Sequence, residues 1–575
     1  MTTTSTTRPG ALFLETGWAE SFAVTGDGRV AVAWSTADGP RVHTVPGPAS
    51  PPEPANTLPS IDQAGLSGGP RRIAFWAQLA DEDNRFVLFT AVPGEAPVRT
   101  AIEAPRQPCA LAWAGPDHVV TTWQTADGPV LARVAVTPGA RPETLWCLPA
   151  SPRWLDPVPD VAPDGRIVLT VASETGQDIV VLDHGVVTTL LAGNRSAAPA
   201  RARWSPDGRS VVVLVRRRRA TEARLIDLTA GTMEVLDGPA PTDVPVWNGD
   251  GTKLAFASHD WPVTRLYVHD LPSRTLTEVP APAGTCAEAP QWHGDDCYFR
   301  VLGPDHPPAV RRWRPGATDA LPVTPPATVS RPVSPSVVRL PSREGFDLPA
   351  LAYEPWIPDR GTVVMLHGGP ASCWRNGWNP VLLDLLGAGY RVVLLETRGT
   401  TFTGWPVPPV PVTEHGVREV EDVADSVAAL IRLGLAQSGR IVLVGHSHGA
   451  FIAYRASLAL PEVAGVITTS GYLHPAVLAG SGDPEVHRFA AAAFADRAWA
   501  GDPAAALPSR CPVLSVHGER DKQVPAGDAE AMFARLDGAG HAWLLLANDD
   551  HSFRIRRNAA RYAAAARDFL GRVLA

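Results

Sequence analysis

The sequence predicts an all-β propeller of seven four-stranded blades followed in the chain by a doubly wound, mostly parallel α/β domain. Three observations predict it. The 575 residues exceed what one hydrophobic core fills, so at least two domains are expected. A turn signature recurs through the first half at the period of a propeller blade. The second half alternates apolar runs of strand length with amphipathic helical runs.

The turn signature is an apolar run leading into Asp-Gly. It reads Val24-Thr25-Gly26-Asp27-Gly28-Arg29, Val161-Ala162-Pro163-Asp164-Gly165-Arg166, Trp204-Ser205-Pro206-Asp207-Gly208-Arg209 and Trp247-Asn248-Gly249-Asp250-Gly251-Thr252. Weaker copies start at Trp113 and Trp292. The repeat aspartates are 27, 117, 164, 207, 250 and 295, spaced by 90, 47, 43, 43 and 45. The double first gap points to a repeat near Gly69-Pro70 that has lost its turn, with strands surviving at Arg72–Trp76 and Phe86–Phe89. Seven repeats of this length suit four-stranded blades over 17–320. Glycine accepts the positive φ that such hairpin turns demand. The aspartates are expected to cap their own turns and the tryptophans to fill the blade interfaces. Residues 1–16 form a separate N-terminal segment, with packing on the second domain as one option.

Leu321 to Ser336 is proline-rich, lacks periodicity and reads as a linker. The α/β domain, 337–575, is expected to hold strands at Thr362–Leu366, Tyr390–Leu395, Ile441–Val444, Val466–Thr469, Pro512–Val516 and Trp543–Leu546. A helix from Val417 places Val417, Val420, Val423, Val427, Leu430 and Ile431 on a buried face, with the acids on the other. A helix over Asn558–Leu574 closes the domain.

The chemistry centres on Arg440 to Arg455. Ile441 to Val444 read as a buried strand, Ala450 to Leu460 as a helix, and Gly445-His446-Ser447-His448-Gly449 between them fits the nucleophile elbow G-x-S-x-G. A turn this tight leaves no room for a side chain at either glycine, and it holds the Ser447 hydroxyl clear of the sheet. A serine needs a base to take its proton, and the base needs a carboxylate to fix its tautomer. In an α/β-hydrolase the order is serine, acid, histidine. Asp521 follows one strand and His551 follows the last, both at the carboxyl ends where open α/β sheets build sites. Glu519, Asp549 and Asp550 compete as the acid. His446 and His448 lie too close to Ser447 in sequence to act easily as its base and are expected to shape the pocket or pack. His517 is expected to orient the loop. The oxyanion needs two donors. One is the backbone N–H of His448. The other is assigned to Gly369, with Gly368 as fallback, in the His367-Gly368-Gly369-Pro370 loop. Trp374 and Trp378, with the segment Tyr472 to Trp499, are candidates for the substrate pocket.

These motifs together, GHSHG, HGGP, HGERDKQVP and DDHSF behind a seven-bladed propeller, resemble the prolyl oligopeptidase family of serine peptidases, in particular its acylaminoacyl-peptidase and dipeptidyl-peptidase-like branch. The resemblance implies that Ser447, Asp521 and His551 are the catalytic triad. Two departures stand out. His448 replaces the aromatic residue that often follows the nucleophile, and Glu396 begins a loop in which the family carries Asn-x-Arg-Gly-Ser-x-Gly. No tyrosine lies between His367 and Trp378, which favours a backbone oxyanion donor.

The net charge of −8 and the ordinary apolar content predict neither a nucleic-acid nor a membrane partner. Arg216 to Arg219 is the one dense basic run and reads first as a solvated hairpin. Six scattered cysteines without metal-ligand spacing read as thiols in a reducing compartment. No apolar stretch is long enough to span a bilayer, and a cytoplasmic location is expected. Neither metal nor cofactor is expected, and self-association into a homo-oligomer is compatible with the sequence. The leading reading is a serine hydrolase of short peptides, with the propeller limiting substrate size. The alternative is an amidase, esterase, acyl transferase or cyclase acting on a small peptide-like metabolite. A catalytically dead scaffold is disfavoured by the complete residue set.

Overall fold

The computed structural model describes residues 18–575 except 48, 51, 55–65, 79–85, 94, 96, 105–110, 126–127, 149–157, 174–175, 195, 218–219, 326–328, 330, 371, 401–404 and 495–505. The chain divides into two compact units, 17–330 and 331–575. The expected packing of residues 1–16 falls outside the described residues.

The first unit is a set of seven four-stranded antiparallel sheets, each built from consecutive strands, over 19–54, 67–104, 112–147, 160–191, 197–235, 246–278 and 286–322. The turns explain the repeat. In the fifth blade Asp207 Oδ1 accepts from the Ser205 hydroxyl at 2.6 Å and from the Arg209 N–H at 3.0 Å. In the sixth, Asp250 Oδ1 accepts from Asn248 Nδ2 at 2.7 Å and from the Thr252 N–H at 2.9 Å. The tryptophans join blade to blade. Trp113, Trp247 and Trp292 each donate the indole N–H to a carbonyl on the first strand of the preceding blade, those of Ser67, Arg203 and Val246, at 3.1–3.4 Å. An amphipathic indole suits this place, because its body fills the interface while its N–H finds a partner. The repeat without an Asp-Gly turn still forms a blade, since Ile73, Phe75, Val87 and Phe89 are buried against their neighbours.

No strand is exchanged between the first and last blades among the described residues. Side chains join them instead. Phe22, Val24 and Val32 pack with Tyr298, Val310 and Val323. The Gln291 amide bridges the seam, donating to the Phe22 carbonyl at 2.8 Å and accepting from the Val24 N–H at 3.0 Å.

The second unit is built on an eight-stranded sheet. Its strands are numbered within the unit: β1 Ser336–Pro341, β2 Asp347–Tyr353, β3 Thr362–Leu366, β4 Arg391–Leu395, β5 Ile441–His446, β6 Val463–Thr469, β7 Val513–Gly518 and β8 Ala542–Leu546. The order is β1-β2-β4-β3-β5-β6-β7-β8. β1, β2 and β4 pair antiparallel, and β3 with β4 and the rest pair parallel. The central strand β5 is buried from Ile441 to Val444. Each such side chain contributes about 1.5–3 kcal/mol by leaving water. The helices are α1 Pro380–Gly387, α2 Arg418–Arg432, α3 His448–Ser457, α4 Pro484–Phe494, α5 Ala526–Phe533 and α6 Arg556–Val573.

Three sequence expectations change. The proline-rich stretch is not wholly a linker: Leu321–Pro322 pairs as the outer strand of the seventh blade, and Ser336 opens β1. The β1–β2 hairpin was not anticipated, because β1 is an edge strand with exposed positions and carries no clean apolar alternation. The third concerns α2. Val417 lies before the helix and is 38% exposed, whereas Glu419 and Asp422, assigned to the solvent face, are buried beside Val423, Val427 and Leu430. Arg398 explains Asp422. Its guanidinium holds that carboxylate at 2.6–3.0 Å, and its backbone N–H adds a bond at 2.7 Å.

In the first unit, Arg216 and Arg217 are the exposed end of an otherwise buried strand, and Arg217 pairs with Glu222 across the hairpin at 2.6 Å. Arg218 and Arg219 lie outside the described residues. No disulfide joins the described cysteines. No helix among the described residues is long and apolar enough to cross a membrane.

Candidate active site

The elbow explains its own glycines. A Cβ on Gly445 would lie 2.1 Å from the Gly449 carbonyl oxygen, and one on Gly449 would lie 2.3 Å from the His367 carbonyl oxygen. Both contacts are to backbone, so no side chain can be accommodated. Ser447 between them has φ +52° and ψ −118°, a conformation costly for any residue with a side chain. Its N–H is anchored on the Thr469 carbonyl at 2.9 Å, and its carbonyl receives the Ala450 N–H at 3.0 Å as α3 begins. Ser447 therefore stands at a helix N-terminus, where the partial positive charge favours a developing anion.

His551 Nδ1 lies 2.7 Å from Asp521 Oδ2. Asp521 is buried, and its other oxygen accepts from the Gln523 and Val524 N–H groups at 2.9 Å each. Burial by itself would raise this carboxyl. The bonds from His517 and His551, and the charge on those rings, outweigh it and hold Asp521 well below the usual carboxylate range. His517 Nε2 reaches the Val524 carbonyl at 2.8 Å and Asp521 at 3.3 Å, so this ring ties down the acid loop as expected.

The competing acids are turned elsewhere. Asp549 Oδ1 accepts the Arg554 N–H at 2.8 Å, and its Oδ2 accepts from Asn558 Nδ2 at 3.0 Å, which organises the entry to α6. Burial pushes Asp549 up to about 6, and the Asp550 charge adds to this. Asp550 accepts the Ser552 N–H at 2.8 Å, and Glu519 the Asn548 N–H at 2.7 Å. Gly518 was not singled out in the sequence, yet it brings the two loops together: a Cβ there would lie 2.2 Å from the Asp550 carbonyl oxygen.

His446 rests on the His551 ring, with centroids 4.9 Å apart. Burial, and then the His551 charge, push it down to about 3, so it is neutral at ordinary pH. His448 points the other way. It is 4% exposed, with Nδ1 2.8 Å from the Tyr472 hydroxyl and Nε2 3.3 Å from Glu419 Oε1. The same Glu419 oxygen meets His415 Nδ1 at 2.6 Å. Burial opposes ionisation of Glu419, but the two imidazoles bring it down to about 2. This His415–Glu419–His448–Tyr472 group was missed in the sequence because Glu419 falls among the acids of α2.

The HGGP loop is held by Glu396, which is fully buried. Glu396 Oε1 accepts the Trp374 N–H at 2.7 Å, and Oε2 lies 3.2 Å from His367 Nε2 and 3.2 Å from the Thr400 hydroxyl. Burial opposes a charge on His367, yet the Glu396 carboxylate raises its pKa. The departure at Glu396 thus couples two loops through charge. A cavity opens beside the elbow, with His367, Gly368, Pro370, Glu419, His448 and Gly449 in its wall. Gly369 adopts φ +133° in this loop. Trp374 and Trp378 are half-buried, and the Trp374 ring meets that of His367 edge-on at 6.3 Å. Of the segment Tyr472 to Trp499, Tyr472 is buried on His448, and Trp499 lies outside the described residues.

Comparison with known proteins places this geometry. Residues 363–573 match the model of the alpha/beta hydrolase family. The acylamino-acid-releasing enzyme of Sus scrofa is 27% identical over 199 residues, 32% of this chain and 27% of that enzyme. The chain thus spans about a quarter of that relative's length. Among solved structures, a puromycin hydrolase superposes with a TM-score of 0.77 at 20% identity, covering 99% of this chain and 96% of that one. The Pyrococcus horikoshii acylaminoacyl peptidase gives 0.71 at 14% identity, covering 98% and 97%. At these identities the structural matches establish the fold. With a seven-bladed propeller preceding an α/β-hydrolase unit along the chain, the protein shares the fold of these structures, and residues 363–573 carry the sequence pattern of the alpha/beta hydrolase family.

Proposed function

We propose that the protein is a serine hydrolase that cleaves peptide or amide bonds of short peptides through an acyl-enzyme on Ser447. The observation that carries the reading is the 2.7 Å contact between His551 Nδ1 and the buried, ionised Asp521, on the loops that follow β8 and β7. With Nδ1–H donated to Asp521, Nε2 of His551 carries the lone pair and can take the Ser447 proton. The serine oxygen then attacks the substrate carbonyl. The oxyanion is received by the N–H groups of His448 and Gly369, and His551 returns the proton to the leaving amine. Water, activated by the same ring, releases the acyl group. The helix N-terminus at His448 favours the negative charge throughout. Trp374 and Trp378 are proposed to line the acyl or leaving-group pocket. The propeller unit is proposed to restrict substrates to short peptides.

A second reading follows from the puromycin hydrolase among the structural relatives, namely hydrolysis of an amide on a small molecule. The related options of ester hydrolysis, acyl transfer and cyclisation use the same acyl-enzyme and differ in what attacks it. The discriminating experiment is a substrate panel on purified protein, with Ser447→Ala as control. Free and N-acylated aminoacyl nitroanilides, short peptides, puromycin and p-nitrophenyl esters are compared. Cleavage of the peptides and nitroanilides supports the peptidase. Cleavage of puromycin alone moves the assignment to small-molecule amides, and of activated esters alone to an esterase or acyl transferase. Turnover retained in Ser447→Ala overturns the mechanism.

A further inference from the structure

We propose that His415, Glu419 and His448 form a binding site for a divalent transition-metal ion of the zinc(II) class, next to the nucleophile elbow. One ligand atom from each residue lies within 4.8 Å of the others, and all three side chains are buried. His415 Nδ1 and His448 Nε2 converge on one carboxylate oxygen, Glu419 Oε1, at 2.6 Å and 3.3 Å. The two rings stand nearly perpendicular, at 87°, with centroids 5.6 Å apart. Ligand atoms in a tetrahedral zinc site, each about 2.0–2.1 Å from the ion, are about 3.3 Å from one another. The His448–Glu419 spacing already has that value, and the His415–Glu419 spacing has to open by roughly 0.7 Å.

The surroundings are those of a ligand set. Tyr472 sits 2.8 Å from His448 Nδ1, which fixes the ring and leaves Nε2 toward the site. The Gly416 N–H donates to Glu419 Oε2 at 2.8 Å, which leaves Oε1 toward the site. Partners of this kind orient metal ligands and raise their basicity. The Phe489 ring closes over His415 and His448, with centroids 5.4 Å from each. Glu419 and His448 both belong to the wall of the cavity beside the elbow. Two imidazoles and one carboxylate suit zinc, cobalt or nickel better than calcium or magnesium, which prefer all-oxygen sites. The sequence gives no warning, because His448 is hidden in the elbow motif and Glu419 among the acids of α2.

The proposal does not rest on the hydrolytic reading, since its readout is metal binding. Full-length protein without an affinity tag is stripped with chelator and titrated with zinc chloride by calorimetry, with bound zinc counted by mass spectrometry. One zinc per chain is expected, with micromolar or tighter affinity. Glu419→Gln and His415→Ala are each expected to weaken it at least about 100-fold, and Tyr472→Phe roughly 10-fold. Circular dichroism and urea unfolding check that the variants fold. Should they fail to fold, the wild-type protein still decides. Cobalt(II) must then give the visible absorption of a four-coordinate ion, and zinc must displace it one for one. No stoichiometric uptake by the wild type, or unchanged uptake by folded Glu419→Gln, overturns the proposal and leaves the group a hydrogen-bonded cluster only.

Discussion

At the scale of single residues, two aspartates on the loops that follow the neighbouring strands β7 and β8 have opposite fates. Asp521 gathers two backbone donors and two histidines, so its charge is favoured. Asp549 is buried with an amide and backbone donors, and titrates near 6 rather than at the ordinary 3.8. Replacing Asp521 by Asn is expected to lower kcat by about 10⁴-fold, because the wrong His551 tautomer is then favoured. Asp549→Asn is expected to leave kcat within about 10-fold of the wild type. Steady-state rates on one nitroanilide separate the two, and a larger loss in Asp549→Asn reassigns the acid. The stabilities also diverge with pH. Because the folded pKa of Asp549 lies above its ordinary value, the native state binds the extra proton between them. Its contribution is complete below about pH 4 and is lost as pH rises through 6, a difference of up to about 3 kcal/mol. Urea unfolding at pH 4.5 and 7 should show a slope with this sign in the wild type and a shallower one in Asp549→Asn.

At the scale of elements, the informative case is α2. Its apolar spacing correctly marks a helix with one buried side, but two acids lie on that side as well. Hydropathy assigns every acid to solvent, and only a partner from elsewhere in the chain can reverse this. For Asp422 the partner is Arg398, and for Glu419 it is His415 and His448. Asp422→Ala leaves the buried Arg398 guanidinium without its main counter-ion and is expected to cost about 3–5 kcal/mol, read as a lower urea midpoint for the second unit. Glu396 acts between loops in a comparable way. Glu396→Gln keeps an acceptor for the Trp374 N–H but loses the charge facing His367. It is expected to reduce kcat/KM by roughly 10- to 100-fold with the fold retained, through displacement of the HGGP loop. A rate equal to the wild type removes Glu396 from any positioning role.

At the scale of the whole molecule, the propeller has its own device for closure. The propeller carries no exchanged strand among the described residues, so the seam depends on apolar packing and on Gln291. Gln291→Ala removes two hydrogen bonds and leaves the Phe22 and Val24 backbone groups unmatched, at an expected cost of about 2 kcal/mol. A lower propeller melting temperature with an unchanged rate on a small nitroanilide is the expected result. The proposed size restriction has its own test. Peptides of 4, 10 and roughly 30 residues around one scissile bond should show kcat/KM falling steeply with length. Equal values across the series remove the propeller from substrate selection.

The sequence by itself determined the architecture, because propeller blades and parallel strands are written in local patterns. Asp-Gly turns repeat at a blade's length, and runs such as Ile441 to Val444 must be buried wherever they occur. It also marked the elbow, whose glycines are required by backbone clashes within a few residues of Ser447. Beyond that reach, tertiary structure decided. Only the fold shows Asp521, rather than Asp549 or Asp550, against His551. Only the fold turns Glu419 inward to two histidines, and makes a strand of residues that read as linker. Each of these depends on groups far apart in the chain, and the preference of a charged or edge residue is set by whatever packing brings beside it.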